Sequence, residues 1–178
     1  DPSNPAYLDG HIHYYRKYLD YGADTLQRDE VRGFVSAVRL HGGGFSETGL
    51  QGFRDWLDHN LSDKALSALG IKEISTFSYA EYLRGRNAPS GDAFADYDGP
   101  LVPYWHAYWR DTSEAFFKRM IQEVKAGAKR PITFSCNNSS LQVWDPETLE
   151  FDFAISELLL GSANPRHIWE RAEAARAV

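Results

Sequence analysis

The chain has 178 residues, of which 43% are hydrophobic and 25% charged, a composition typical of a globular domain with a sizeable core. Its net charge of -6, without any block of Lys or Arg, argues against a nucleic acid or an anionic membrane surface as its partner. The single cysteine, Cys136, excludes an internal disulfide bond, and no apolar run approaches the ~20 residues of a membrane span.

The first segment, DPSNPAYLDGHIHYYRKYLDYGAD, is predicted to form a helix. Asn4 is a typical N-cap residue, and Pro5 suits the first helical position. Gly22 stands where a helix ends with a residue in the left-handed region. The period of one helical face is kept by the residues Leu8, Ile12, Tyr15 and Leu19. Because the chain starts at Asp1 and not at methionine, we expect a trimmed or longer protein, and its compartment stays open.

This helix contains the pattern Asp-x-His-x-His, which also occurs in metal-dependent amidohydrolases. On a strand, His11 and His13 would share a face and could hold one ion. On a helix they point ~200° apart and cannot. The helical period favours the second interpretation, so we expect neither a metal nor another cofactor, and the amidohydrolase stays the alternative.

Residues 31–100 are predicted to be a loop insertion with short helices. A short strand in ADTLQRDEVRG leads into it, ending at the acidic pair Asp29–Glu30. A glycine-rich loop, HGGGFSETG, precedes an amphipathic helix in LQGFRDWLDHNL. Two further short helices are predicted in SDKALSALGI, capped by Ser62, and in FSYAEYLRGR. Residues 86–100 form a long polar loop.

A long helix is predicted over residues 101–127, followed by two apolar strands, in RPITFSCNNSS and EFDFAISELLLGS. A final helix is predicted in NPRHIWERAEAARA. Short buried strands that alternate with helices indicate an α/β fold, with a parallel sheet covered by helices.

Acidic residues stand at the ends of two of these strands, Glu30 and Glu157. In parallel α/β folds ligands bind at the carboxyl ends of the strands, and a charge there needs a partner or a role. Glycoside hydrolases typically use two carboxyl groups that face each other across a cleft. Either residue could instead begin a helix or cap the segment that follows.

Other polar and aromatic residues are candidates for contacts to a sugar. Asn137 and Asn138 follow the second strand and could bind hydroxyl groups, or could form a plain turn. Trp144 could stack on a sugar ring or fill the core, and His41 in the glycine-rich loop could line a cleft. The 14% aromatic content likewise suits a core or a groove for sugars. Cys136 has no neighbouring histidine, so a cysteine nucleophile is not expected.

The run from Asp29 to Asn138 resembles the catalytic barrel of the family 42 glycoside hydrolases, the β-galactosidase type. In that family a strand ends in Asn-Glu, and a helix with phenylalanine, arginine, tryptophan and leucine follows. The chain has HGGGFSETGLQGFRDWL after Glu30, and later SEAFFKRMIQEVKAGAKRPIT, which resembles the family's long helix and next strand. The matching positions in the first helix are Phe53, Arg54, Trp56 and Leu57.

This resemblance implies that Glu30 is the general acid/base. Asp29 stands where the family has the asparagine that binds the sugar, and a carboxylate there would raise the pKa of Glu30 or change substrate preference. The family nucleophile lies on the seventh strand, whereas Glu157 follows the sixth, so Glu157 is a substrate contact or, in another branch, the nucleophile. In the family, the loop after the acid/base strand often holds cysteines that bind a metal. The corresponding loop of this chain has no cysteine, so a structural zinc is not expected.

The resemblance also implies a (β/α)8 TIM barrel, which needs eight strands and typically ~250 residues. We therefore predict that residues 1–178 are one partial barrel domain, from about helix 3 to helix 6. The remainder would come from a missing segment or from another chain, possible in a homo-oligomer, and the 178 residues alone should be inactive. The expected substrate is an oligo- or polysaccharide, and a non-catalytic carbohydrate-binding barrel is the further alternative.

Overall fold

The computed structural model of the chain describes residues 1–29, 33–137 and 150–155. Six α-helices and three β-strands lie in these ranges, together with 3-10 helices at Ile74–Thr76 and Gly91–Asp96. Their order is α1 (Pro5–Asp20), β1 (Thr25–Asp29), α2 (Gly33–His41), α3 (Glu47–Asn60), α4 (Asp63–Ala68), α5 (Tyr79–Arg84), α6 (Val102–Ala126), β2 (Thr133–Asn137) and β3 (Phe153–Ile155). Within the described residues, no helix has both the length and the apolar character needed to cross a membrane.

The chain divides into two compact units, which are described separately below. The first unit comprises residues 1–7 and 34–116, and the second comprises residues 8–33 and 117–178. The predicted loop insertion, residues 31–100, falls almost entirely within the range of the first unit.

The second unit contains a parallel three-stranded sheet in the order β1–β2–β3. Thr25 lies opposite Thr133, and the register continues along both strands until Asp29 lies opposite Asn137. On its other side, Asn137 lies opposite Ile155 of β3. The parallel pairing predicted from the alternation of helices and apolar runs is therefore present among the described strands.

Helix α1 has the ends that the sequence predicts. The side chain of Asn4 accepts a hydrogen bond of 3.0 Å from the backbone N–H of Ala6, as an N-cap does. Gly22, two residues beyond the helix, has φ = +101°, which a side chain would oppose. Ile12 and Tyr15 of its apolar face are buried, and the Tyr15 ring packs edge-on against Phe134 of β2 at 5.3 Å.

The carboxyl-terminal part of α6 packs beside α1 in the second unit. Arg16 of α1 donates a hydrogen bond of 3.0 Å to the backbone carbonyl of Glu123. Lys125 forms an ion pair with Asp152, which directly precedes β3. The apolar residues of this part of α6, Phe117, Met120, Ile121 and Val124, are buried. The two helices therefore cover the sheet face that carries Leu26, Phe134 and Cys136.

The described side chains on the opposite face of the sheet are largely exposed. Thr25 and Thr133, joined by a hydrogen bond of 3.0 Å between their hydroxyl groups, are both exposed. On β3, Phe153 and Ile155 keep 44% and 39% of their surface exposed, unusual for apolar residues of a short parallel strand. Among the described residues, only the central Ser135 is buried on this face.

The first unit is built around an aromatic core. Trp105 and Trp109 of α6 are fully buried, and the Trp105 ring packs against Phe45 at 5.0 Å and Phe53 at 4.9 Å. Tyr79 packs against both Phe53 and Trp105. These aromatic residues therefore fill a core, and are not available to line a groove for sugars.

Three of the helices around this core are each preceded by a serine. The side chains of Ser46, Ser62 and Ser78 accept hydrogen bonds from backbone N–H groups in the first turns of α3, α4 and α5. The cap at Ser62 was predicted. Helix α2 was not, and Phe94, in the stretch predicted as a polar loop, is buried with 3% of its surface exposed.

Candidate functional site

Two of the predicted site residues, Asp29 and Asn137, lie side by side at the carboxyl-terminal edge of the sheet. They are register partners at the ends of β1 and β2, so their side chains leave the sheet on the same face. That face is the one whose described side chains are largely exposed, opposite to α1 and α6. Asp29 is exposed and Asn137 is half-buried.

The carboxylate of Asp29 is held by its neighbour on the same strand face. The side-chain amide of Gln27 donates a hydrogen bond of 2.9 Å to the Oδ1 atom of Asp29. Gln27 was not predicted from the sequence, although its spacing of two residues on a strand indicates a shared face. Gln27, Asp29 and Asn137 thus present one carboxylate and two carboxamides, groups that both donate and accept hydrogen bonds.

The third strand ends at the same edge. Ile155 lies opposite Asn137, and Glu157 follows two residues later in the sequence. Glu157 itself lies outside the described residues, as do Glu30, Asn138 and Trp144. Their predicted roles remain predictions.

A second set of titratable groups lies on the covered face. Burial raises the pKa of the Tyr15 hydroxyl, although the guanidinium of Arg28 opposes the shift. Burial also lowers the pKa of His11, and the positive charge of Arg28 adds to this effect. The Tyr15 hydroxyl donates a hydrogen bond of 3.4 Å to the carbonyl oxygen of Gln27. These groups lie on the helix side of the strand, and the charge of Asp29 adds to the upward shift of the Tyr15 pKa.

Both histidines of the Asp-x-His-x-His pattern belong to α1. His11 stacks on Tyr15, with 6.4 Å between the ring centroids, and His13 lies edge-on to Tyr14. Two histidines at this spacing on a helix diverge and do not bind a common ion. Within residues 1–29, 33–137 and 150–155, no group of three or more His, Cys, Asp or Glu residues is arranged to hold a metal.

His41 belongs to the first unit, whereas Asp29 and Asn137 belong to the second. It ends α2, and its Nδ1 atom lies 2.7 Å from the Oδ1 atom of Asp92 in an exposed pair. The predicted role of His41 at a cleft remains a prediction.

Short segments of the chain are similar to two alpha-agarases. The protein from Thalassotalea agarivorans is 41% identical over 49 residues, which is 28% of this chain and 3% of that protein. The protein from Alteromonas agarilytica is 36% identical over 55 residues, which is 31% of this chain and 4% of that protein. The matches thus span only a small fraction of either relative. No protein family and no solved structure matches the chain.

The structure argues against Cys136 as a nucleophile. It lies on the covered sheet face with 1% of its surface exposed, and burial raises its pKa to about 11. A thiol in this state is protonated at neutral pH and a poor nucleophile. Among the described residues of the sheet edge, the groups suited to chemistry with a sugar are therefore the oxygen- and nitrogen-bearing side chains of Gln27, Asp29 and Asn137.

Proposed function

We propose that the chain is part of a glycoside hydrolase that cleaves a polysaccharide, with agar as the first substrate to test. The observation that carries the proposal is the row of Asp29 and Asn137 at the carboxyl-terminal edge of a parallel sheet. This edge is where α/β enzymes bind their substrates. The similarity of short segments to alpha-agarases, which are named for agar, supports the same class of substrate.

Among the described residues, helices cover only one face of the sheet, which supports a barrel rather than a doubly wound sheet. In a doubly wound fold, helices cover both faces of the parallel sheet. In a (β/α)8 barrel, helices cover only the outer face, and the inner face packs against other strands of the barrel. We propose that Phe153 and Ile155 face such an interior, which further strands complete, from additional polypeptide or from a second copy of the chain.

Within this proposal, Glu30 is the general acid/base, because it directly follows Asp29, which ends β1 at the proposed site. Asp29 and Asn137 bind hydroxyl groups of the sugar beside the cleaved bond, and Gln27 keeps the Asp29 carboxylate in position. Glu157 is the second carboxylate of the cleft. Asn138, Trp144 and His41 are proposed as further contacts to the polysaccharide.

The test is the substitution Glu30→Gln in the full-length protein, assayed for reducing sugar released from agar. Removing a general acid should lower kcat roughly 10²- to 10⁴-fold without weakening substrate binding. The matched control is Asp24→Asn, an exposed acid just before the amino-terminal end of β1, which should leave kcat unchanged. Unchanged turnover in the Glu30→Gln variant would refute the assignment.

The wild-type protein decides between an enzyme and the non-catalytic alternative. A protein that retains agar oligosaccharides but releases no new reducing ends would be a carbohydrate-binding barrel.

The substitution Asp29→Asn adds a test of the neighbouring charge. Removing that charge should lower the pKa of Glu30, so the alkaline limb of the kcat/KM profile should move to lower pH.

A further inference from the structure

The first unit contains a cleft that none of the features above explains. It lies between α3 and the turn that leads into α5, and its volume is about 180 Å³. Pockets that enclose drug-sized ligands occupy roughly 300–1,000 Å³, so this cleft suits a single small ring. The residues that line it are Glu47, Leu50, Gln51, Arg54, Phe77 and Ser78.

Three polar residues reach the cleft from successive turns of α3. Glu47, Gln51 and Arg54 are spaced by four and three residues, so they form one row along the helix. Gln51 holds the row together, because its carbonyl oxygen accepts from Arg54 and its amide donates 2.8 Å to Asp55. Glu47 is exposed and forms no hydrogen bond with the described residues, so its carboxylate can accept from a ligand.

The apolar part of the lining comes from both sides of the cleft. Phe77 is half-buried, and its ring lies edge-on to Tyr82 with 5.7 Å between the centroids. Leu50, also half-buried, adds an aliphatic surface on the α3 side. A flat ring fixed beside a carboxylate, an amide and a guanidinium matches a pyranose, which has an apolar C–H face and a rim of hydroxyl groups.

We propose that this cleft binds one pyranose unit of a polysaccharide, with Phe77 against the apolar face of the ring and Glu47 accepting from its hydroxyl groups. Arg54 donates to ring or hydroxyl oxygens, since only one of its five N–H groups is needed for Gln51. The proposal rests on the polysaccharide substrate proposed above. It adds a binding site whose residues belong to the first unit, whereas Asp29 and Asn137 belong to the second.

The test measures binding apart from hydrolysis. The full-length protein carrying Glu30→Gln is titrated with soluble oligosaccharides prepared from agar, alone and combined with Phe77→Leu or Glu47→Gln. Phe77→Leu keeps an apolar side chain against Tyr82 but removes the flat ring, so Kd should rise roughly three- to tenfold. Glu47→Gln changes an exposed side chain without changing its size, and a similar rise in Kd is expected.

The matched control is Asp63→Asn in the first turn of α4. Like Glu47, Asp63 is an exposed acid that follows a serine N-cap, but it does not line the cleft. Its substitution should leave Kd unchanged. Hydrolysis of the shortest cleavable oligosaccharide should likewise keep its kcat in the Asp63→Asn variant of the active protein.

The outcomes separate this site from the proposed enzyme. Unchanged Kd in both cleft variants, with agar still hydrolysed by the wild type, overturns the cleft and leaves the hydrolase intact. Raised Kd in both cleft variants without hydrolysis by the wild type supports the cleft and overturns the hydrolase. Absence of both binding and hydrolysis overturns both.

Discussion

At the scale of single residues, the structure predicts the reactivity of the Cys136 thiol. Burial on the covered sheet face raises the pKa of its thiol to about 11. We predict that it will not react with a thiol-specific disulfide reagent in the native protein at pH 8. It should react fully, with one thiol per chain, once denaturant unfolds the protein. Rapid reaction of the native protein would contradict its placement.

The carboxylate of Asp152 forms hydrogen bonds whose contribution to folding stability can be measured. Its carboxylate accepts a hydrogen bond of 2.7 Å from the backbone N–H of Phe134 and another of 2.9 Å from Lys125. Partial burial pushes the pKa of Asp152 up, but the Lys125 and Phe134 hydrogen bonds outweigh it, and the pKa lies below its ordinary value.

A carboxyl group with a lowered pKa stabilises the folded state above its unfolded pKa and loses this effect as pH falls through the folded pKa. We predict that Asp152→Ala lowers the free energy of unfolding by about 1–2 kcal/mol at pH 7, from the loss of charged hydrogen bonds at a partly exposed site. The difference from the wild type should shrink below about pH 4. Denaturant titrations at pH 7 and pH 3 measure both effects.

At the scale of elements, the glycine-rich loop after α2 has a packing role. Gly44 has φ = +93°, and a Cβ atom there would lie 2.5 Å from the Nε1 atom of Trp109. Backbone strain and overlap with a buried indole act together at this position. The loop therefore closes over the aromatic core at Gly44, where a side chain would not fit.

We predict that Gly44→Ala lowers the free energy of unfolding by more than about 2 kcal/mol. Two controls separate the causes. Gly91→Ala has φ = +62° but open space around the Cβ position, so it should cost only the strain, about 1–2 kcal/mol. Gly10→Ala lies within α1 with nothing near, and should stabilise by about 0.5–1 kcal/mol. Equal values for Gly44 and Gly91 would contradict the packing role.

The elements that the sequence predicts well are those with local signals. Asn4, Pro5 and Gly22 bracket α1, and apolar periodicity identifies α3 and α6, because capping and helical faces depend on nearby residues. Helix α2 was missed because β-branched residues in GFVSAVRLH weaken its helical preference, and packing of Val35 and Val38 stabilises it.

The candidate site could be predicted only in outline. Parallel strands bring their carboxyl ends to one edge, so the proximity of Asp29 and Asn137 follows from the pattern of elements. The hydrogen bond from Gln27 to Asp29 depends on side-chain rotamers, and the cleft at Phe77 depends on how α3 meets the turn before α5. The burial of Phe94 likewise arises from tertiary packing that no local pattern contains.

At the scale of the whole molecule, the main feature is a sheet whose strands are distant in the sequence. Thr25 and Thr133 are partners although 108 residues separate them. Closing a flexible loop of this length costs about 4 kcal/mol of chain entropy, plus a constant term. Residues 34–116, which lie between the partners, form most of a compact unit of their own.

The consequence concerns the order of folding. If the intervening unit contracts first, the ends of the long loop meet at a lower entropic cost, and β1 and β2 zip together afterwards. In pulse-labelled hydrogen exchange during refolding, the amide of Leu61, bonded to Leu57 within the helical unit, should gain protection early. The amide of Thr133, bonded to Asp24 across the strands, should follow. Simultaneous protection of the two amides would mean that the parallel strands form part of the folding nucleus.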